Sequence, residues 1–466
     1  MSSLFGLMTT EQFKSEYSLS ARRRVFYQYP NGAAPLTGLL SLMDTEEVDK
    51  AEDFGWVEQR NITHEYLTAQ ANSAGPFTDT SGSAGAVGTD LTAAGWSGSA
   101  GDTIRVKLAN LTGIQVRDVL LFRNVPGTSS SLKNFQGTIT AVWTAHNTID
   151  VRLNAAAANN LNGTTANGIS VIMIGSATPE GDRSKSGFVQ YPITITNNTQ
   201  IFRHAFEFSR SALKAGAKWD KTGVYKHKAK QNSLKHMKAL EYAVFFSDKA
   251  VNNSVVTDDN LDSTIRYMGG VLWYLKQWEK GNTVNGGAFN YRLGGSDVTS
   301  SAWATTDEKR IIDVNGTMTV DQFHTLIERP FRFISDSSYE LLALCGSGFL
   351  KAFQDMCKRE SIAITKLSTS EAYGMQVTAW ETIYGTIYFK THPLFNQTGV
   401  FNNSAFFLDI GNLKYRPLND SDTELLKNRQ NRDFDGRKDE WLTECGLEVH
   451  FPESMMFIDR CTGIVS

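Results

Sequence analysis

The chain has 466 residues, 41% of them hydrophobic, with a formal net charge of −3. That length accommodates roughly two to four domains with a sizeable core. The charge balance excludes global attraction to nucleic acid; no apolar run is long enough for a transmembrane helix, and Met1–Lys14 lacks the basic and apolar regions of a secretory signal.

Residues 1–60 read as an extended arm. Arg22, Arg23 and Arg24 open it, Pro30 and Pro35 interrupt helix formation, and an apolar patch of Leu36, Leu39, Leu40, Leu42 and Met43 follows. After the acidic cluster Asp44, Glu46, Glu47, Asp49, Glu52 and Asp53, the residues Phe54, Trp56 and Glu58 alternate with Gly55, Val57 and Gln59, which predicts a short strand. So short a segment has no core of its own. Its apolar patch must lie on the body of its own chain or on a neighbour, and Leu36, Leu39, Leu40, Phe54 and Trp56 are the candidate contacts between chains.

From Leu67 to Gly101 the chain is rich in Ala, Gly, Ser and Thr, an irregular stretch. Its Gly82–Gly88 run lacks the lysine and the following helix of a phosphate loop. Thr103–Leu108, Asp118–Arg123, Gly137–Thr144, Thr148–Leu153 and Ile169–Ile174 then predict five short strands. They make a small β-barrel or sandwich over 102–177, with Ile104, Val106, Val119, Leu121, Ile139, Val151 and Ile172 as its core. Further on, Ile193 and Ile195 alternate with threonines, and Phe202, Phe206 and Phe208 share a face with His204. This predicts a long two-stranded ribbon beside the inserted module.

Trp219 to Asp248 reads as one long helix. Tyr225, Ala229, Ser233, Met237, Leu240 and Val244 recur on one face, Asp220 is a candidate N-cap, and no proline intervenes. Its length would be roughly 40 Å. Lys214, Lys218, Lys221, Lys226, Lys228, Lys230, Lys235 and Lys238 stand against only Asp220 and Glu241; Lys221, Lys228, Lys235 and Lys238 fall opposite the apolar stripe. Such a face is either simply solvated or meets something anionic.

Beyond Asn252 the pattern is mixed α and β. Thr319 with Gln322 makes a capping box before a helix ended by Pro330, Glu340–Cys345 reads as a buried strand, and Gly346-Ser347-Gly348 starts a helix carrying Phe349, Phe353, Met356 and Cys357. Met375–Thr382 and Thr386–Lys390 flank Tyr384-Gly385 like a hairpin; Ala405–Ile410 and Glu444–Ile458 are strand-like.

The chemical motifs are thin. His227 and His236 are nine residues apart, on opposite helix faces, so they cannot share a metal. Asn431-Arg432-Asp433-Phe434-Asp435-Gly436 imitates the start of a calcium loop, but Leu442 stands where the closing Glu belongs. Cys345, Cys357, Cys445 and Cys461 form no C-x-x-C pair, and the settings of Cys345 and Cys357 are those of buried thiols. Hydrolase, zinc-protease and Walker motifs are missing, so no catalytic, metal or cofactor site is expected, although a spatial triad would leave no such trace.

Three groups of residues carry a family resemblance. They are Pro35-Leu36-Thr37-Gly38-Leu39-Leu40 with Phe54-Gly55-Trp56-Val57-Glu58; Gln200-Ile201-Phe202 through Phe208-Ser209 to Leu240-Glu241-Tyr242-Ala243; and Tyr384-Gly385-Thr386-Ile387 with Thr443-Glu444-Cys445-Gly446-Leu447-Glu448 and Phe451-Pro452-Glu453. In this order the chain resembles the major capsid proteins of tailed bacteriophages, the HK97-like fold. The resemblance implies an α+β protein. Residues 1–60 would be the N-terminal arm, 61–209 the extended loop over a neighbouring subunit (with 102–177 inserted), 210–251 the spine helix of the peripheral domain, 252–425 the axial domain, and 426–466 strands returning to the peripheral domain.

The function it implies is structural, not enzymatic. Hexamers and pentamers of the chain would form an icosahedral shell around double-stranded DNA, in the virion head, after assembly in the host cytoplasm and without a membrane. A portal protein and a decoration or minor capsid protein would be partners. The arm has no long helical segment ahead of it, so a separate scaffolding protein is expected rather than a fused one. Lys185 is the residue to ask about for cross-linking, with nothing local to support that chemistry. Lys221, Lys228, Lys235 and Lys238 become candidate DNA-facing residues, and the 102–177 module is expected on the outer face. Two other readings compete: another phage structural protein, of the tail or decoration, and a soluble enzyme with an unrecognised site.

Overall fold

The computed structural model describes residues 35–40, 45–49, 53–59, 65–69, 76–89, 91, 98–126, 132–155, 169–181, 187, 192–214, 224–252, 265–280, 283–284, 287–288, 309–334, 339–359, 369–372, 375–419, 422–433 and 435–465. Two compact units result. One gathers residues 1–56, 196–278 and 299–466; the other gathers 57–195 and 279–298.

Helix α1 (Pro35–Leu40) and strand β1 (Asp53–Glu58) come first. Then β2 (Glu65–Leu67), β3 (Phe77–Thr78), β4 (Thr103–Lys107), β5 (Asp118–Pro126), β6 (Leu132–Trp143), β7 (Thr148–Leu153) and β8 (Ser170–Ser176) form a seven-stranded antiparallel sheet ordered β2-β8-β5-β6-β7-β4-β3. The sheet closes on itself. Thr68, just after β2, bridges Leu108, just after β4; the Ala69 amide donates to the Lys107 carbonyl at 2.9 Å and the Ala109 amide to that of Leu67 at 2.9 Å. Closure satisfies the backbone that open edges would expose.

These strands thus form a closed barrel that starts near Glu65 rather than at 102. Strands β2 and β3 come from the Ala/Gly/Ser-rich side, where pairing partners rather than local propensity set the conformation. Ile104, Val106, Ile139 and Val151 are inside, with Phe122 stacked on Phe135 at 4.6 Å. Val119, Leu121 and Ile172 are not core residues: Leu120, Phe122 and Val171 point inward instead. Irregular pairing between Val119 and Leu120, and again between Phe122 and Val125, shifts the register of β5, and a one-residue shift exchanges faces.

On the barrel's flank Arg105 and Asp150 form a buried pair at 2.6 Å, and Arg105 also donates to the carbonyls of Gly82 and Ala86. Gly85, with φ +82°, lies against Trp143; a Cβ there would stand 2.2 Å from the indole Cγ. The Gly-rich run thus presents its carbonyls to an arginine.

The chain continues through β9 (Ile193–Asn198), β10 (Gln200–Ser209), α2 (Arg210–Lys214), α3 (Val224–Phe246), β11 (Ala250–Asn252), β12 (Ile265–Tyr267), α4 (Val271–Lys280), β13 (Thr283–Val284) and β14 (Gly287–Ala288). The predicted ribbon does not form: β9 pairs with β1, and β10 pairs elsewhere. Only Thr199 separates β9 from β10, and a hairpin needs at least two turn residues.

The remaining elements are β15 (Ile311–Thr319), α5 (Val320–Phe331), β16 (Glu340–Cys345), α6 (Ser347–Arg359), β17 (Thr369–Ala372), β18 (Met375–Glu381), β19 (Thr386–Thr391), α7 (Pro393–Thr398), β20 (Ala405–Leu408), β21 (Leu413–Pro417), β22 (Glu424–Leu426), β23 (Gly436–Val449) and β24 (Met456–Val465). Helix α5 starts at the predicted capping box, with both reciprocal bonds between Thr319 and Gln322. Strands β15-β24-β20-β16-β19-β18-β17 build a mixed seven-stranded sheet. Its Leu341, Ala343, Phe407 and Ile458 pack on Phe323 and Ile327 of α5 and on Phe349 and Met356 of α6. The alternate residues Phe406 and Phe457 stack at 4.1 Å on the opposite face, where Phe245 also packs. Burial on both faces explains the unbroken apolar runs.

One domain expectation needs correction. Strand β23 does pair with β10 over ten residues, Gln200 opposite Cys445 through Ser209 opposite Gly436. Strand β24, by contrast, lies between β15 and β20, so the 426–466 segment is divided between two sheets. Its Ile458 and Ile464 fill the α5/α6 core, which an apolar strand does wherever the space exists.

Candidate functional site: the inner face of the long helix

Helix α3 is the predicted strut, and its described span is 23 residues and about 34 Å. Its buried face carries Tyr225, Asn232, His236, Leu240, Glu241, Val244 and Phe245; Met237, expected inside, is 44% exposed. Steps of four drift by about 40° each around a helix, so the 225-229-233-237 series leaves the interface by its end. The true face mixes in polar residues that hydropathy passes over.

Three polar stations fix this face to segments far away in sequence. At the first, the Tyr225 hydroxyl and the Arg437 guanidinium, 3.0 Å away, meet the buried Asp439 of β23. Burial alone would raise the Asp439 carboxyl; the bonds from Arg437, Tyr225 and the Asn428 amide hold it below the ordinary carboxylate range.

At the second, His236 Nδ1 lies 2.9 Å from His204 Nδ1 of β10, and His236 Nε2 lies 2.7 Å from Thr443 Oγ1 of β23. Burial, then the neighbouring His204, push His236 down to about 4. His204 is lowered by burial and by Lys235.

At the third, Glu241 is fully buried. It receives the Leu36 amide at 2.9 Å, the Thr37 amide at 2.7 Å and the Thr37 hydroxyl, so it caps the N-terminus of α1 from outside. His392 Nε2, also buried, lies 2.7 Å from the same carboxylate, while His392 Nδ1 accepts the Leu394 amide at the start of α7. An acceptor at Nδ1 leaves Nε2 to donate its hydrogen to Glu241.

These stations revise the arm. Leu36, Leu39 and Leu40 are buried, with α1 lying on α3 and β21 of the same chain. Phe54 sits on Gly446, where a Cβ would approach its ring to 2.3 Å, and Trp56 packs near Tyr274 at 5.8 Å and His450 at 5.7 Å. The five side chains expected to reach a neighbour are therefore covered by their own chain. An apolar patch takes the nearest apolar surface, and that surface is here in cis. Leu42, Met43 and Arg22–Arg24 lie outside the described residues.

Among the lysines, Lys228 and Lys235 are exposed, together with Lys226 and Lys230; Lys238 is half-buried, its Nζ 3.3 Å from Gln397 Oε1. Lys221, Asp220 and Lys185 lie outside the described residues. Lys226 and Lys230 do not share a face with Lys228 and Lys235, so the exposed lysines form no single stripe opposite the polar seam. What the sequence reading missed is Glu241, His392, His204 with His236, and Asp439. The available signal was Glu241 itself, the one acid of the described helix, set between Leu240 and Val244 on the packing side.

Elsewhere, Leu442 lies within β23 opposite Arg203, so the calcium lookalike runs into a strand. All four cysteines are free and buried; burial raises Cys345 well above its ordinary value, Cys445 to about 12 and Cys461 to about 11.

Comparison with known proteins places this architecture. The major capsid protein of Pseudomonas phage PaMx41 is 22% identical over 416 residues, which are 89% of this chain and 82% of that one. Among solved structures, one from Mycobacterium phage Bobi matches 97% of this chain and 99% of its own at 7% identity and a TM-score of 0.37. The capsid of a native GTA particle matches 61% of this chain and 80% of its own at 12% identity and 0.36. Those superpositions are loose, and the assignment rests on sequence. The profile of the SU10 major capsid protein family matches residues 39–463, and the chain belongs to that family of phage major capsid proteins.

Proposed function

We propose that this chain is the shell subunit of a tailed-phage head, closing in many copies into an icosahedral container for double-stranded DNA. The carrying observation is the family match over residues 39–463. The role is structural and without catalysis. The partners that fit are further copies in hexamers and pentamers, a portal, a separate scaffolding protein and a decoration or minor capsid protein. The chain would assemble in the host cytoplasm and remain in the virion.

Within this reading the outward lysines of α3 meet phosphate. Support comes from their composition: Lys226, Lys228, Lys230 and Lys235 are exposed, and the single acid of α3, Glu241, is turned away and buried. Such contacts are sequence-independent and weaken with salt. The barrel fits the outer face, because packaged DNA fills the interior and the exterior is open. Residues 252–425 would surround the symmetry centres.

Negative-stain microscopy of the purified full chain tests the proposal. Closed isometric particles are expected; tubes, rings or only small discrete particles overturn it. For the lysines, DNA binding across a salt series should lose roughly 0.9 of slope for each of Lys228→Gln and Lys235→Gln. An unchanged slope removes the DNA-facing assignment and leaves the shell intact.

A further inference from the structure

We propose that the His204–His236 contact is an acid-operated latch: the pair keeps α3 on the β10/β23 sheet while it carries at most one extra proton, and a second proton releases the helix.

With the two Nδ1 atoms 2.9 Å apart, one must bear a hydrogen and the other a lone pair. The second nitrogen of His236 is already engaged at 2.7 Å with Thr443 Oγ1, which itself lies 2.9 Å from Thr423 Oγ1. His236 is 1% exposed, whereas His204 is half-buried. A first proton goes to Nε2 of His204 and leaves the Nδ1 bridge intact. A second must take the lone pair of the bridge. Two N–H groups then face each other, and two cations share rings whose centroids are 5.0 Å apart.

Among the described residues, none that faces the pair absorbs that charge. From α3, Lys235 adds a positive charge that acts on His204. Also on α3, Asn232 donates to the His204 carbonyl at 2.9 Å, and Glu241, five residues on from His236, is taken by His392 and α1. On β10 the same-face neighbours of His204 are Phe202 and Phe206. On β23 they are Trp441, Thr443 and Cys445. The next acid on that face, Asp439, is held by Arg437 and Tyr225. Glu440 and Glu444 alternate to the other face, and Asp422 beside Thr423 accepts the Tyr415 hydroxyl. The seam is thus polar enough to bind neutral imidazole and, among the described residues, presents no counter-ion for imidazolium.

The sign follows. A released His236 titrates near the ordinary value of about 6.5. The closed one resists protonation down to about 4. The open form therefore binds more protons through that window, and the closed form loses ground as pH falls below about 6.5, roughly a hundredfold or more by pH 4. His204 is shifted in the same direction.

The test is hydrogen exchange on the full chain at pH 7, 5.5 and 4.5, corrected for intrinsic rates, with peptides covering 224–246 and, as internal reference, 65–176. Protection of 224–246 should fall more than tenfold between pH 7 and 4.5 while the reference region holds. In His236→Gln the protection should be lower at pH 7 but nearly independent of pH. His204→Gln should show a shallower dependence than the native chain, and it serves if the first variant does not fold. The latch is overturned if the native helix stays equally protected at pH 4.5, if helix and reference lose protection together, or if the folded variants follow the native pH profile.

Discussion

The barrel and the long-helix seam solve the same problem in opposite ways. The barrel draws its core from one run of chain, Glu65 to Ser176, and closes its own backbone ladder. The seam draws on residues 151 to 214 positions apart: Glu241 with His392, Leu36 with Glu241, His236 with Thr443, Tyr225 with Asp439. The barrel is held mainly by apolar side chains together with the buried Arg105–Asp150 pair, the seam by buried polar groups that need every partner present. A local apolar module tolerates loss by repacking. A stitched polar seam does not, because each deletion strands a desolvated group.

The largest expected effect concerns the limits of the barrel. Residues 65–178 expressed alone should give a dispersed amide NMR spectrum, whereas 100–178, which lacks β2 and β3, should give collapsed peaks. Equal dispersion would mean that closure through Thr68 and Leu108 is dispensable. Next, Glu241→Ala should destabilise the full chain by about 3–5 kcal/mol, because it orphans His392 and the amides of α1. A denaturation midpoint close to native would show that the seam is not stitched as described.

Within the barrel, Leu120→Ala should cost about 2–4 kcal/mol and Leu121→Ala about 1 kcal/mol, since only the first is fully inside. Proteolysis of 65–176 reads both, and a reversed order would restore the register expected from sequence. Smallest is Thr319→Ala, about 1 kcal/mol for an exposed helix cap in neither region. It calibrates what a purely local loss looks like.

Much of this was legible in the sequence. The long helix, the capping box of α5, the 375–390 hairpin and most of the barrel announced themselves through period and turn residues. So did the family resemblance, which depends on the order of weak motifs. The failures share a physical cause. The register of β5, the pairing of β10 with β23 and the split of β23 from β24 are decided by bulges or by partners about fifty to more than two hundred residues away, and alternation within one strand carries neither. The polar stations were hidden for a further reason: a lone Glu or His on an apolar stripe looks like surface until its partner is known.

Strand β24 has a consequence for how the protein is made. It sits inside the mixed sheet, parallel to β15 and antiparallel to β20, yet it is synthesised after both. At roughly 5–20 residues per second a ribosome needs on the order of 15–60 s to travel from the end of the barrel at Ser176 to Met456. During that interval the barrel has everything it needs to fold. The sheet has a gap where its shared strand belongs, with Phe407 and Ile312 beside it unshielded. The nascent chain therefore carries a finished module next to an open, adhesive slot. The fate of that slot before β24 arrives bears on how many chains reach a state competent to build a shell.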